Sequence, residues 1–234
     1  MQEKSLLISS FTKENLATPI SDMNKGKEAP PIEKPLKESE KLITLPKPNP
    51  QVILNNDLFS LIKTRRSRRK FLDTPLSLEE LSYLLWATQG VERTFEKHPV
   101  TFRTVPSAGA KHPLETYLVI FNVTGLEQGL YRYSALNHAL VFLKNPPSLK
   151  EELFKALLEV EFPLKASVLF IWTSIPYRTV WKYGEQSEKF ILIDAGHVCQ
   201  NLYLAAESIL CGTCAMAAYS QTLLNQILEL DEKQ

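Results

Sequence analysis

The chain has 234 residues, 27 of them Lys or Arg and 26 Asp or Glu, for a net charge of +1. With 44% hydrophobic and 23% charged residues it has ordinary globular composition, enough for one domain with an ample core or two small ones. The charge balance gives no global reason to expect nucleic acid or an anionic membrane as partner. No apolar run reaches the roughly 18 residues of a membrane span, and the N-terminus lacks a sustained signal-like apolar stretch, so a cytoplasmic location is the default expectation.

Residues 1–50 are rich in Lys, Glu, Pro, Ser and Asn, with prolines at 30, 31, 35, 46, 48 and 50. Such a stretch buries little apolar surface, which predicts an extended or partly disordered arm in which only Leu42–Pro46 docks. The folded domain is expected over 51–234. After the cap candidates Asn55 and Asn56, the pattern Leu58, Leu61, Ile62 predicts a helix running into Arg65-Arg66-Ser67-Arg68-Arg69. On a helix Arg65 and Arg69 share a face and Arg66 adjoins it, an arrangement of planar donors that suits a phosphate. A solvated helix end or a nucleic-acid patch are the other readings of the same run. Ser77 and Glu80 form a capping box opening a second helix, with Leu81, Leu84, Leu85 and Thr88 on one face, that ends near Gly90.

Residues 102–117, FRTVPSAGAKHPLETY, place a tight small-residue turn before a strand over 116–123. Pro106 fixes φ, Gly109 permits conformations closed to other residues, and Ser107 offers a hydroxyl beside bare backbone. Strands are predicted over 130–133 and 139–143, joined through Asn137 and His138, then a short helix from Ser148 to about Leu158. The nearly continuous apolar run 166–174 reads as a strand covered on both faces.

Lys182 and Tyr183 follow. Both have reference pKa values near 10, so either suits a proton donor, and a base needs a depressed pKa. The bland alternative is an amphipathic pair at the edge of an element. A long helix is predicted over 188–209, with Ile191, Leu192, Ala195, Val198, Leu202, Ala205, Ala206 and Ile209 apolar, and with His197 as a satisfied histidine on its buried face. A strand over 213–219 and a helix from Ser220 to Leu230 complete the chain. The whole reads as an α+β fold, a sheet flanked by helices.

Three cysteines, Cys199, Cys211 and Cys214, are too few for a disulfide scaffold. With His197 they count as four possible zinc ligands, but residues two apart on a helix point to nearly opposite sides, and the Cys-x-x-Cys pair follows a helix rather than opening one. Small buried thiols and no metal site are expected. No G-x-G-x-x-G follows a strand and no Ser-His-Asp constellation is present.

RRSRRKF, PSAGAKHPLE, KYGE at 182–185, DAGHVCQNLYLAAE at 194–207 and GTC at 212–214, in this order between Leu58 and Asp231, resemble the flavin-dependent nitroreductase family in its SagB-type dehydrogenase branch. The resemblance implies a nitroreductase-like FMN-binding fold with a central, mostly antiparallel sheet, and a homodimer with two flavin sites at its interface. It implies that Arg65, Arg66, Ser67 and Arg69 hold the FMN phosphate and ribityl chain, with Arg68 at the surface or behind them. Pro106, Ser107, Ala108 and Gly109 of the neighbouring subunit would meet the isoalloxazine. Gly212 and Thr213 would offer backbone N–H groups near flavin N5, and Gln200 and Asn201 could bond backbone or flavin edges. The resemblance further implies that Lys182 and Tyr183 assist deprotonation of an azoline ring in a ribosomally made peptide, with FMN accepting the hydride. The alternatives are a reductase of nitro compounds, quinones or flavins with NAD(P)H as transient donor, and a non-catalytic flavin-binding subunit of a complex. The sequence departs from its relatives at Leu210, where they usually carry a helix-ending glycine, and at Gln186 and Lys189, where they carry arginines. It also stops at Gln234, where they usually continue into a terminal strand, which predicts an unpaired sheet edge.

Overall fold

The computed structural model describes residues 21–95 and 100–231. Three consecutive segments of apolar, β-branched and aromatic residues form an antiparallel meander: β4 (Leu114–Ile120), β5 (Gly129–Ser134) and β6 (Ala139–Lys144). β1 (Leu42–Thr44) adds to β6 and β7 (Val168–Ser174) adds to β4, giving the order β1-β6-β5-β4-β7 with every pairing antiparallel. A separate two-stranded ribbon joins β2 (Val91–Thr94) to β3 (Thr101–Arg103).

Alternation along the strands sorts the core into two layers. Leu118, Ile120, Tyr131, Tyr133 and Leu140 pack on α2 (Leu78–Gln89) and α5 (Ser187–Ser208), the latter in contact with α1 (Leu58–Thr64). Tyr117, Val119 and Leu130 pack on α3 (Leu149–Ala156) and α6 (Gln221–Leu228). The remaining helix, α4 (Tyr177–Tyr183), follows β7 directly. The expected antiparallel sheet between helices is thus present, and the Ser77–Glu80 capping box closes α2 at its start. β7 has apolar neighbours on both faces but is an edge strand, so all its residues are only half-buried.

Several expectations are corrected. α1 is capped by Asp57, whose side chain accepts from the Phe59 N–H, while Asn55 turns the chain inward by accepting from Asp57 N–H. The helix stops at Thr64, and the arginines continue as extended backbone because Ser67 bridges in parallel to Thr213 and Arg68 N–H donates to the Thr213 carbonyl at 3.0 Å. Among the described residues the same single bridge is all that residues 213–219 possess of a strand. On α5 the buried stripe runs through Asp194, Val198, Leu202, Ala205 and Ala206. Leu192 and His197 lie off it and are exposed.

The described part of the arm, residues 21–50, docks well beyond 42–46. Residues 1–20 lie outside the described residues. The docking is polar, which apolar patterning could not reveal. The Glu33 carboxylate accepts from Ser134 Oγ and from the N–H groups of Ala135 and Leu136. Guanidiniums of Arg178, Arg103 and Arg132 donate to the carbonyls of Pro31, Ile32 and Lys34. Arg132 also pairs with Glu40 at 2.9 Å, and Arg178 pairs with Glu115, both members being almost fully buried. Arg178→Met would leave the Glu115 carboxylate buried without its cation. It should lower unfolding free energy by about 3–5 kcal/mol in urea titrations, and a loss below about 1 kcal/mol would show that the pair does not hold α4 and the arm in place.

Candidate functional site

The turn before β4 is shaped by three hydrogen bonds. Ser107 Oγ donates to Asp194 Oδ2 at 2.6 Å, Ala108 N–H donates to Asp194 Oδ1 at 3.3 Å, and His112 N–H donates to Ser107 Oγ at 2.8 Å. Burial raises the Asp194 carboxyl above the usual carboxylate range, while the Ser107 and Ala108 bonds pull it back. Pro106 leads in, and Gly109 takes φ +60°, open to glycine at little cost. A Cβ at Gly109 would lie 2.6 Å from the Tyr183 hydroxyl and 2.7 Å from Lys182 Nζ. The turn and the Lys182-Tyr183 pair, far apart in sequence, therefore meet within one chain at Gly109, glycine being the only kind of residue that leaves room for both tips.

The arginine strand builds a second cluster. Tyr203 organises it: its hydroxyl lies 2.9 Å from Ser67 Oγ and accepts from Ala215 N–H at 2.8 Å, and its ring lies under the Arg65 guanidinium at 5.2 Å. With the Tyr203 oxygen accepting from Ala215, its own proton is free to go to Ser67, which leaves the Ser67 hydroxyl able to donate outward. Arg66 turns back onto the carbonyls of Lys63 and Arg65, and Arg69 onto that of Ser67. Arg68 alone takes a carboxylate, Glu207 at 2.7 Å, and its side chain covers Gly212, where a Cβ would meet it at 2.8 Å. Among the described residues Arg65, Arg66 and Arg69 have no carboxylate partner. Gly212 and Thr213 follow the end of α5, where Cys211 N–H reaches the Ala206 carbonyl and Leu210 N–H that of Glu207, with Leu210 at φ +59°. This is the helix ending that glycine usually serves, and Leu210, largely exposed, adopts it.

Asp194 and Tyr203 are the residues that reading the sequence did not single out, although both lie in its 194–207 motif. A carboxylate on the inner stripe of a helix needs donors, and a buried phenol on its other side needs a polar partner. Those two demands were the available signal. Asn201 bonds backbone, donating to Ala87 O at 2.9 Å, and Gln200 is exposed. Of the cysteines, Cys199 and Cys211 are half-buried thiols pushed up by burial, Cys211 to about 11.

Nine residues separate Asp194 from Tyr203, two and a half turns of α5 or about 13 Å, so they project from opposite sides of one helix. The two clusters are back to back across α5. A cavity of about 790 Å³ lies elsewhere, between the arm and the strands β5 and β6.

The model of the nitroreductase family matches residues 62–234. The chain belongs to the nitroreductase family. A Methanocaldococcus jannaschii protein, provisionally named a nitroreductase, is 38% identical over 172 residues, covering 74% of this chain and 83% of its own. Among solved structures, a provisionally named nitroreductase from Ralstonia eutropha is 27% identical, with a TM-score of 0.66 and coverage of 88% of this chain and 90% of its own. Another, from Anabaena variabilis, is 22% identical and shows the fold alone, with a TM-score of 0.70. This chain spans 95% of its own length but only 41% of that one. As a member of the nitroreductase family the protein is an oxidoreductase with a nitroreductase-like α+β fold, and FMN is the cofactor the family generally uses. No helix among the described residues is long and apolar enough to cross a membrane.

His112 anchors the far end of the turn: its Nε2 lies 3.1 Å from the Thr101 carbonyl and its own carbonyl accepts from Arg178. Burial, then the nearby Arg103 and Arg178, lower its pKa to about 3. A histidine neutral in the folded state but protonated when unfolded contributes stability that is fully present above about pH 6.5 and is lost as pH falls from there toward 3. Urea midpoints measured down this range should fall, and His112→Gln should flatten the slope. Identical slopes in the two proteins would show that His112 takes up its proton without opening the fold.

Proposed function

We propose that this oxidoreductase is an FMN enzyme of the SagB-type, peptide-modifying branch, oxidising an azoline-like ring as a homodimer. The observation that carries the reading is the seating of Lys182 Nζ and Tyr183 Oη against Gly109, which places two proton-carrying groups on the turn that the family resemblance gives to the flavin ring. Two comparisons support it. A Rhizobium leguminosarum trifolitoxin-processing protein is 29% identical over 137 residues, covering 55% of this chain but only 36% of its own. A chain of the Escherichia coli microcin synthetase complex, solved with a truncated pro-microcin bound, shares the fold at 19% identity with a TM-score of 0.61.

The residues present fit FMN. The phosphate end finds Arg65, Arg66, Arg69 and the outward-donating Ser67, and Gly212 and Thr213 bring bare backbone beside them. FMN, when bound, supplies the two-electron acceptor. Lys182 then takes the proton released from the ring carbon, and the Tyr183 hydroxyl donates to the substrate to hold the ring over the turn. The placement of the clusters on opposite sides of α5 supports a dimer in which each site combines the arginine strand of one subunit with the Gly109 turn of the other. Leu58, Phe59 and Ile62 on α1, just before the arginine run, and Leu192 and Ile193 on α5, beside Asp194, are exposed apolar residues of the kind a partner subunit covers.

The purified protein should be yellow and release FMN on denaturation, and light scattering should give a dimer. A monodisperse monomer that retains FMN tightly would overturn the shared site. Lys182→Ala and Tyr183→Phe should lower turnover by roughly 10²–10⁴-fold with the flavin spectrum intact. Arg65→Ala and Arg69→Ala should instead weaken FMN retention. Should the Lys182 and Tyr183 variants keep full activity while NADPH reduces the flavin, the protein is a plain NAD(P)H-dependent reductase. Retained FMN with no turnover on any donor would make it a non-catalytic flavin-binding subunit.

A further inference from the structure

Tyr203 is only 9% exposed, and its hydroxyl is the junction of two hydrogen bonds, accepting from Ala215 N–H at 2.8 Å and lying 2.9 Å from Ser67 Oγ. The direction of the second bond follows from counting protons. If Ser67 donated, the phenolic oxygen would accept twice, and the phenolic proton would be left buried without an acceptor among the described residues. With Tyr203 donating, the proton left over is that of Ser67, which is exposed and can offer it to a ligand. Three bonds then run in one direction, from Ala215 N–H to Tyr203, from Tyr203 to Ser67 and from Ser67 outward. Hydroxyls linked head to tail polarise one another, so the last donor is stronger than that of an isolated serine. The chain is also held in place. Ser67 bridges in parallel to Thr213, Arg68 N–H donates to the Thr213 carbonyl at 3.0 Å, and the Arg65 guanidinium rests on the Tyr203 ring at 5.2 Å.

We propose that Tyr203 is a positioning residue that selects phosphorylated over unphosphorylated flavin, by holding the Ser67 hydroxyl as a fixed outward donor to the phosphate. This rests on the reading of the arginine strand as the FMN phosphate site. A phosphate oxygen is anionic and only accepts, so a donor locked towards it makes a charge-assisted bond. The terminal hydroxyl of riboflavin is neutral and can either give or take a proton, so the locked direction brings it little. The arginines attract any anion, whatever its shape. The chain through Tyr203 adds a contact with a direction, anchored in backbone at Ala215 and therefore independent of how the exposed Arg66 and Arg69 side chains move.

The test compares the dissociation constants of FMN and riboflavin, read from flavin fluorescence on titration with the flavin-free protein. Tyr203→Phe keeps the ring under Arg65 and removes only the hydroxyl. It should weaken FMN binding roughly tenfold and riboflavin binding by less than about twofold, and Ser67→Ala should do the same. Because the two residues act in series, the double variant should bind FMN no more weakly than Ser67→Ala alone, and Ser67→Thr, which keeps the hydroxyl, should keep the preference. Equal losses for both flavins, or losses that add in the double variant, would overturn the proposal and leave Tyr203 a packing residue. If Tyr203→Phe does not fold, the exposed end of the chain reads the same interaction: in NMR spectra of flavin-free Ser67→Ala the Ala215 amide proton, which bonds to Tyr203 and not to Ser67, should move upfield, and an unmoved resonance overturns the chain equally. Failure of the cofactor reading is separate. It appears as wild-type protein that binds neither flavin, or as Arg65→Ala and Arg69→Ala variants with unchanged FMN affinity, whatever the Ala215 resonance shows.

Discussion

Arg178 sits in the first turn of α4, and each of its nitrogens goes to a different part of the chain: Nε to the Pro31 carbonyl in the arm, Nη1 to the His112 carbonyl at the end of the Gly109 turn, and Nη2 to the Glu115 carboxylate on β4. Lys182 lies one helical turn further on. The distance between the Lys182 and Tyr183 tips and the Gly109 backbone is therefore set by a guanidinium gripping the strand and the loop at once. A buried ion pair adds little net stability when desolvation is counted. What this one supplies is geometry, because a planar fork with fixed donor directions allows few arrangements of the three segments it joins. Lys34 N–H donating to the same Glu115 oxygen draws the arm into that arrangement.

α5 plays the complementary part at larger scale. Its inner stripe carries Asp194, which shapes the turn through Ser107 and Ala108, and its opposite side carries Tyr203 and Glu207, which hold Ser67, Ala215 and Arg68. One rigid rod thus places both clusters while keeping them apart. In the proposed dimer a flavin would take one cluster from each of two such rods.

The parts of this fold legible in the sequence were those written in local code. The capping box at Ser77, the apolar meander from Leu114 to Lys144 and the long apolar helix after Ser187 each announce themselves through spacing. The errors fell where a distant partner overrides local preference. Arg65 to Arg69 look helical until Thr213 pairs with Ser67, and residues 213–219 look like a strand until only one partner residue is found for them. Outside Leu42–Pro46 the arm looked unattached because its anchors are invisible to hydrophobicity: carbonyls and Glu40 answered by arginines 71 to 147 residues away, and Glu33 answered by Ser134 and the N–H groups of Ala135 and Leu136. At the site, turn chemistry marked Ser107 and Gly109 from sequence, whereas Asp194 and Tyr203 matter through contacts that only the folded helix creates.

The two clusters also differ in the kind of cation they use. Guanidiniums at Arg65, Arg66 and Arg69 keep their charge at any accessible pH and present flat donor edges, as a permanently anionic phosphate requires, and their partial exposure keeps their repulsion screened. The amines at Lys111 and Lys182 are compact point charges on flexible stems, and burial lowers the pKa of Lys111. In the proposed site an arginine at 182 could not take up a proton, and lysines in place of the arginines would lose the bidentate grip. The division between fixed and movable charge therefore follows the division of labour expected between the anchored end of a phosphorylated cofactor and its reactive ring.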